Sequence, residues 1–249
     1  MKNLPFKLSI STDIEQWRKD TFWDKEPETL NWIESFENGE IFYDVGANIG
    51  IYSLYAASLF PQMDIYAFEP FKINYDRLFI NVELNQYSRI YPFLTAISDE
   101  VKIVDFYTKS NVAGSSGGQL YAPVSDKGRI FKSSDVLEVI TTTLDSFTDR
   151  FLSKNNEEPT YIKIDVDGLE HKIVLGMEKV LKMNKLQSIL IEINKYSDIQ
   201  EAQAIEIDRI MRYNGFTDDN EFNDYPIKSD VRRNKEGILA KNIIYTKKD

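Results

Sequence analysis

Short apolar runs of strand length alternate with stretches of helical periodicity along most of the chain. Strand candidates lie at Ile41–Val45, Asp64–Phe68, Ile90–Leu94, Tyr161–Val166, Ser188–Ile193 and Asn242–Thr246, and Val101–Tyr107 reads as an extra edge strand. Between them Phe71, Tyr75, Leu78, Phe79 and Val82 recur at helical spacing, as do Ile173, Val174, Met177, Val180 and Leu181. Asp24–Phe36 reads as a helix, with Pro27 suited to its first turn and Gly39 just beyond its end. Another helix spans about Asp198–Tyr213 and stops at Gly215. Such alternation is the signature of a mostly parallel α/β sheet with helices on both faces. One segment breaks the rhythm: Thr108–Asp135 carries GSSGGQ and little periodicity. Long loops inside a compact domain are usually functional, so this one is expected to close over a substrate.

The first strand runs into a glycine turn, FYDVGANIG at Phe42–Gly50, and then into the apolar helix Ile51–Leu59. Gly46 supplies the backbone freedom such a turn demands, and Gly50 permits close approach to a ligand. A dinucleotide fingerprint beginning at Gly46 needs glycine at positions 48 and 51, and the chain has Asn48 and Ile51. The pattern therefore suits a ligand without a pyrophosphate. Asp44, at the carboxyl end of the strand, would repel a pyrophosphate but suits an ammonium or a hydroxyl.

Composition narrows the classes of partner. The chain has 249 residues, 42% hydrophobic, which suits one sizeable domain with a real core. A net charge of −10 disfavours nucleic acid, whose phosphates need a basic surface. No apolar run reaches membrane-spanning length, and the N-terminus lacks the apolar segment of a signal peptide. Cysteine is absent, which removes disulfides and thiolate chemistry and fits a cytoplasmic protein.

Two further motifs carry chemistry. Glu69 ends the strand DIYAF roughly 20 residues after the glycine turn, where an acidic side chain reaches ribose hydroxyls. The segment YIKIDVDGLEH, Tyr161–His171, alternates so that Lys163, Asp165 and Asp167 share one side, bound for the crevice of Asp44 and Glu69. His171, the single histidine, falls in the first turn of the following helix and is a candidate general base; Asp165 is the alternative base or the group that orients the acceptor. An incidental surface histidine is the plainer reading of the same residue. Asp165, Asp167 and His171 lack a fourth ligand nearby, so no metal is expected. The serine in GSSGG has no strand before it, which argues against a hydrolase elbow.

Taken in order, FYDVGANIGIYSLYAA, IYAFEPFKINYDRL with NVELN and LTAISDE, and TTTLDSF with YIKIDVDGLEHKIVLGM and ILIEIN resemble the FkbM family of S-adenosylmethionine-dependent methyltransferases. The resemblance covers about Phe42–Asn194, and residues 22–36 resemble the family's leading helix. It implies a Rossmann-like class I methyltransferase fold with a seven-stranded, mostly parallel sheet whose last strand is antiparallel. It also implies an N-terminal helical extension, residues 1–40, covering the cofactor site of a methyltransferase domain at 41–249. S-adenosylmethionine would lie with its methionine part against Asp44, Gly46 and Asn48, its ribose on Glu69, and its adenine near Thr95–Ser98, touching Ala96 and Ile97, with Gly50 and Asp165 also counted among the cofactor-binding residues. The implied reaction is O-methylation of a sugar or other small-molecule hydroxyl, with Asp165, Asp167 and His171 as the catalytic candidates. DVDGLEH departs from the commoner D-V-E-G-A-E at Asp167 and His171, which bears on the base and not on the cofactor. A nicotinamide-dependent oxidoreductase and a non-catalytic module of the same fold are the competing readings.

Overall fold

Side-chain parity along the first strand, β1 (Ile41–Val45), sorts the molecule into two cores. Phe42 faces one; Ile41, Tyr43 and Val45 face the other. The computed structural model describes residues 3–125, 127, 129–151, 157–218, 233–234, 237–238 and 240–247. In chain order the elements are α1 (Asp13–Lys25), α2 (Pro27–Glu34), β1, α3 (Ile51–Leu59), β2 (Asp64–Phe68), α4 (Lys72–Asn85), β3 (Ile90–Phe93) and β4 (Ala96–Ile97). They continue with β5 (Lys102–Thr108), β6 (Gln119–Leu120), β7 (Asp135–Thr142), α5 (Leu144–Phe151), β8 (Tyr161–Ile164), α6 (Glu170–Leu175), β9 (Ser188–Asn194) and α7 (Asp198–Tyr213). Strands β10 (Phe216–Asp218), β11 (Arg233–Asn234), β12 (Gly237–Ile238) and β13 (Ala240–Lys247) complete the series.

Seven strands form the main sheet in the order β10-β13-β9-β8-β1-β2-β3. Strands β9, β8, β1, β2 and β3 are parallel, and β13 runs antiparallel between β9 and β10. This is the Rossmann-like arrangement that the family resemblance implies, in a mixed and mostly parallel form. Helices α1 to α4 cover one face through Phe22, Trp32, Leu54 and Leu78, and α5 to α7 cover the other through Phe147, Ile173 and Met211. The chain winds outward from β1 to β3 and then returns to lay β8 on the other side of β1. The order therefore reverses between β1 and β8, where open sheets part their loops and leave a crevice.

Three expectations need correction. The predicted helix Asp24–Phe36 is two helices meeting at Glu26, whose φ of −141° and ψ of 67° leave the helical region. Pro27 is the cause, since its ring disfavours helical geometry in the preceding residue while suiting the first turn of α2. Helix α1 was not visible in the periodicity because it is mostly polar, burying only Glu15 and Phe22; its signal is the capping box of Thr12 and Glu15. The seventh strand is β10, and the predicted edge strand around Val101–Tyr107 belongs instead to a separate four-stranded sheet, β4-β7-β5-β6. That small sheet takes up both ends of the Thr108–Asp135 loop: Thr108 pairs with Asp135, and Gln119 pairs with Tyr107. No helix among the described residues is long and apolar enough to cross a membrane.

Gly46 and Gly39 both have positive φ, +82° and +90°, but only at Gly46 would a Cβ collide, 1.9 Å from the Asp165 carbonyl oxygen. Gly39→Ala is therefore expected to cost about 1–2 kcal/mol from backbone strain alone. Gly46→Ala should cost roughly 1–3 kcal/mol more, because β1 and β8 must separate. Urea denaturation of the two variants measures the difference; equal losses would mean that the close approach carries no energy.

Candidate functional site

The crevice at the switch point holds a cavity of about 260 Å³. Its floor is the pair of turns that follow β1 and β8. The first turn is fixed by Gly46 and Ala47, whose N–H groups both donate to the Phe68 carbonyl at 3.0 Å. Asn48, at φ 53°, then donates its backbone N–H to Glu69 Oε2 at 2.8 Å. Glu69 Oε1 accepts the Phe71 N–H at 2.9 Å, so one buried carboxylate ties the end of β2 to the turn after β1. Burial pushes the Glu69 carboxyl up to about 7, against the pull of the Phe71 and Asn48 amides.

The second turn, Asp165–Gly168, is held by Glu170, whose Oε1 accepts from Val166 N–H at 3.2 Å and Gly168 N–H at 3.0 Å. Burial likewise pushes Glu170 up to about 7. Asp167, at φ 62°, turns its Oδ2 to the Gly117 N–H at 2.6 Å, and its carbonyl accepts from Gln119 Nε2 at 2.6 Å. The glycine-serine segment thus forms a roof. Ser115 carbonyl accepts from Asn48 Nδ2 at 2.8 Å and Asn74 Nδ2 at 3.0 Å, and Asn74 Oδ1 accepts the Gly114 N–H at 2.9 Å. From the N-terminal side Arg18 Nε donates to the Gly114 carbonyl at 2.7 Å. Trp17, Arg18 and Lys25 of α1 line the same cavity.

Beneath the floor lies a buried charge cluster. Register places Asp44 of β1 directly opposite Lys163 of β8. Asp44 is fully buried, with Oδ2 accepting from Ser53 Oγ at 2.6 Å and Oδ1 lying 3.7 Å from Lys163 Nζ. Lys163 Nζ reaches Asp165 Oδ2 at 3.1 Å. Burial alone would pull the ammonium down, but Asp165, Asp44 and Glu26 together raise its affinity for the proton and keep it charged. Burial raises the Asp44 carboxyl, opposed by Lys163 and Ser53.

Of the residues predicted for the site, Gly46, Asn48, Glu69, Asp165 and Asp167 line the cavity. Ala96 and Ile97 line an adjoining slot with Val45, Phe68, Leu120 and Leu169, which shares Gly46, Pro70 and Val166 with the main cavity. Asp44 does not line the cavity: parity directs it into the sheet's inner face, toward Ser53 and Lys163. Gly50 is also internal, where a Cβ would stand 2.3 Å from Leu78 Cδ1, so its freedom serves helix packing. His171 occupies the first turn of α6 as predicted, yet it lines a separate small cavity with Asn194, Gln200 and Gln203, between α6, β9 and α7. It does not line the main cavity, although Glu192 lines both. Lys163 lines the cavity on the side shared with Asp165, as the alternation of β8 predicts; Glu192 and the three α1 residues had no assigned place there, and the parity of β9 carried a signal for Glu192.

Comparison with known proteins places this geometry in a family. The sequence pattern of the Methyltransferase FkbM domain matches residues 44–217. Methyltransferase 1 of Beauveria bassiana is 26% identical over 177 residues, covering 67% of this chain and 68% of that protein. The 31-O-demethyl-FK506 methyltransferase FkbM of Streptomyces tacrolimicus is 25% identical over 199 residues, covering 72% and 73%. Among solved structures, the precorrin-6y C5,15-methyltransferase of Geobacter metallireducens GS-15 superposes with a TM-score of 0.51 at 12% identity, covering 100% of both chains. An rRNA methylase of Streptococcus thermophilus gives 0.50 at 12% identity, covering 97% of this chain and 99% of its own. At such identities the structural likeness speaks for the fold alone.

Removing one member of a buried ion pair strands the other charge, at about 3–5 kcal/mol. Lys163→Met should therefore lose that much stability in urea titrations, and adding Asp44→Asn should recover a good part of it. An additive double variant would show that the two groups are not coupled. A second measurement concerns pH. A carboxyl raised from 4.5 to about 7 by folding contributes its stability in full below the unfolded value and loses it as pH rises through 7. Relative to the permanently neutral Glu69→Gln, the ligand-free protein should thus lose on the order of 2 kcal/mol between about pH 5 and pH 8. A pH-independent difference would refute the shift.

Proposed function

The chain belongs to the FkbM family of methyltransferases, with S-adenosylmethionine as its methyl donor, and we propose that it methylates a hydroxyl group of a sugar or surface-glycan precursor. One observation carries the reading: Asp165, Asp167 and Glu192 bring three carboxylates to one end of a cavity that the half-exposed Trp17 also lines. Carboxylates accept hydrogen bonds from vicinal hydroxyls, and an indole face packs on the apolar side of a sugar ring. The relative from Streptomyces tacrolimicus, by its name a 31-O-demethyl-FK506 methyltransferase, supports an oxygen acceptor.

The residues present fit the donor. Glu69 lines the cavity with a carboxylate that can accept from a ribose diol, and the slot at Ala96 and Ile97 has the apolar walls an adenine needs. The turn Gly46–Asn48 gives the backbone approach on which the methionine part would rest. When bound, the donor supplies an electrophilic methyl group on a sulfonium. The protein's own contribution is then alignment, which holds an acceptor oxygen at the cavity's acidic end. Asp165 is the group placed to orient that hydroxyl and take its proton, an effect worth about 10²–10⁴ in rate. Lys163 positions the Asp165 carboxylate through its 3.1 Å contact.

Asp165→Asn should lower turnover by about 10²-fold while leaving the dissociation constant for S-adenosylhomocysteine within about threefold. His171→Gln should keep turnover near that of the unaltered protein. The reverse outcome, with His171→Gln inactive and Asp165→Asn active, would return the base role to the histidine. The acceptor class is tested by mass spectrometry for gain of one methyl group on sugar nucleotides and glycans, with RNA as the contrasting substrate. Methylation of RNA alone would overturn the proposal.

A further inference from the structure

Arg18 stands out among the cations that reach the cavity. Lys25 Nζ is bonded to Glu26 Oε1 at 2.5 Å, Lys163 is shared between Asp44 and Asp165, and Lys109 lies 5.1 Å over the Phe131 ring. Arg18 makes one hydrogen bond among the described residues, from Nε to the Gly114 carbonyl, and no ion pair. Its two terminal nitrogens are thus left for another acceptor, and Arg18 lines the cavity. The bond from Nε fixes the guanidinium plane, so that the fork is held ready for a planar anion.

The position of that fork selects the anion. Gly114 is held by Asn74, and the next residue, Ser115, is held by Asn48 of the first turn, so Arg18 sits over the β1 end of the cavity. Its charge is felt by Glu69 and by Tyr52 in the first turn of α3. The acceptor end, with Asp165, Asp167 and Glu192, is acidic and would repel an anion. S-adenosylmethionine carries one carboxylate, at the opposite end of the molecule from its adenine. With the adenine slot at Ala96 and the ribose acid at Glu69, the amino-acid end is left toward α1 and α3.

We infer that Arg18 of the N-terminal helix binds the carboxylate of S-adenosylmethionine, so that α1 is part of the cofactor site. The inference rests on the assignment of the donor, and it adds a residue outside the matched family segment, 44–217.

Decarboxylated S-adenosylmethionine keeps the sulfonium, the amine and the adenosine and lacks only the carboxylate, which makes it the discriminating probe. Calorimetric titration of the full chain with both compounds is the test, with Arg18→Met beside the unaltered protein. Arg18→Met should weaken S-adenosylmethionine by roughly 10- to 100-fold, the worth of a shielded charged hydrogen-bonded pair, and change the decarboxylated compound by less than about threefold. Arg18→Lys should recover part of the loss. Equal weakening of both compounds would assign Arg18 to holding the roof at Gly114 and overturn the proposal, as would unchanged binding of S-adenosylmethionine. If the unaltered protein binds neither compound, the donor assignment itself fails, an outcome separate from the other two.

Discussion

The ammonium of Lys163, buried between the ends of β1 and β8, is the constraint on which the site depends. Two unit charges about 4 Å apart attract by about 4 kcal/mol at the effective dielectric of such sites. Taking each charge out of water costs several kcal/mol, so the pair with Asp44 contributes little net stability. Its consequence is positional. Asp44 and Lys163 face each other in register, Lys163 reaches forward to Asp165, and the Gly46 backbone must then pass close under the Asp165 carbonyl. A glycine is required at that crossing by contact as well as by φ. The same cluster draws in Ser53 and Tyr52 of α3, the latter with its ring 5.2 Å from Nζ and its hydroxyl 2.6 Å from Glu26 Oε2. One buried cation thereby fixes two strands, the first turn of α3 and the junction of α1 with α2.

Much of this was legible in the chain, because the relevant periods are short. β1, β2, β9 and α7 announce themselves by runs of apolar residues at the right spacing. The glycine turn and Glu69 follow from position relative to those strands, and both line the cavity. Asp44 shows where such reading stops. A carboxylate at a strand's end reads as a ligand group, but which face it takes depends on parity across a neighbouring strand 119 residues away. Phe42 and Asp44 share a face, and so do Tyr161 and Lys163; the first of each pair enters the core under α2 and α3. Pairing those parities is the signal that would have set Asp44 opposite Lys163. His171 shows a second limit: a helix of six residues turns through less than two full turns, and its first turn can face the crevice or α7. Only the packing of α7 decides, and that contact is nonlocal.

The two acids near neutral pKa occupy corresponding places. Glu69 caps the turn after β1, and Glu170 caps the turn after β8, each by accepting two backbone N–H groups. Burial raises both to about 7, since backbone amides compensate only part of the lost hydration. They differ in what remains to them. Glu69 lines the main cavity, whereas Glu170 lines the side pocket shared with His171 and acts on the shape of the Asp165–Gly168 turn. A perturbed carboxyl is therefore no guide to chemistry here unless its access is considered as well.

The family segment begins at residue 44, yet the cavity does not. Trp17, Arg18 and Lys25 come from α1, and their presence follows from Pro27. By denying Glu26 helical geometry, the proline ends α1 and frees a buried carboxylate to meet Lys25, Tyr52 and the field of Lys163. α1 is then anchored at both ends of its cavity-facing side: through Glu26 at its C-terminus, and through Glu15, which pairs with Arg77 of α4 at 2.6 Å, near its start. Between those anchors Trp17 and Arg18 line the cavity. Phe22 packs its ring against Phe6, Tyr52 and Tyr55, so this aromatic contact, the charged anchors and the Arg18–Gly114 bond together supply the placement of the helix. A ligand held by Arg18 would add one more contact to the same docking and stabilise the folded chain by mass action.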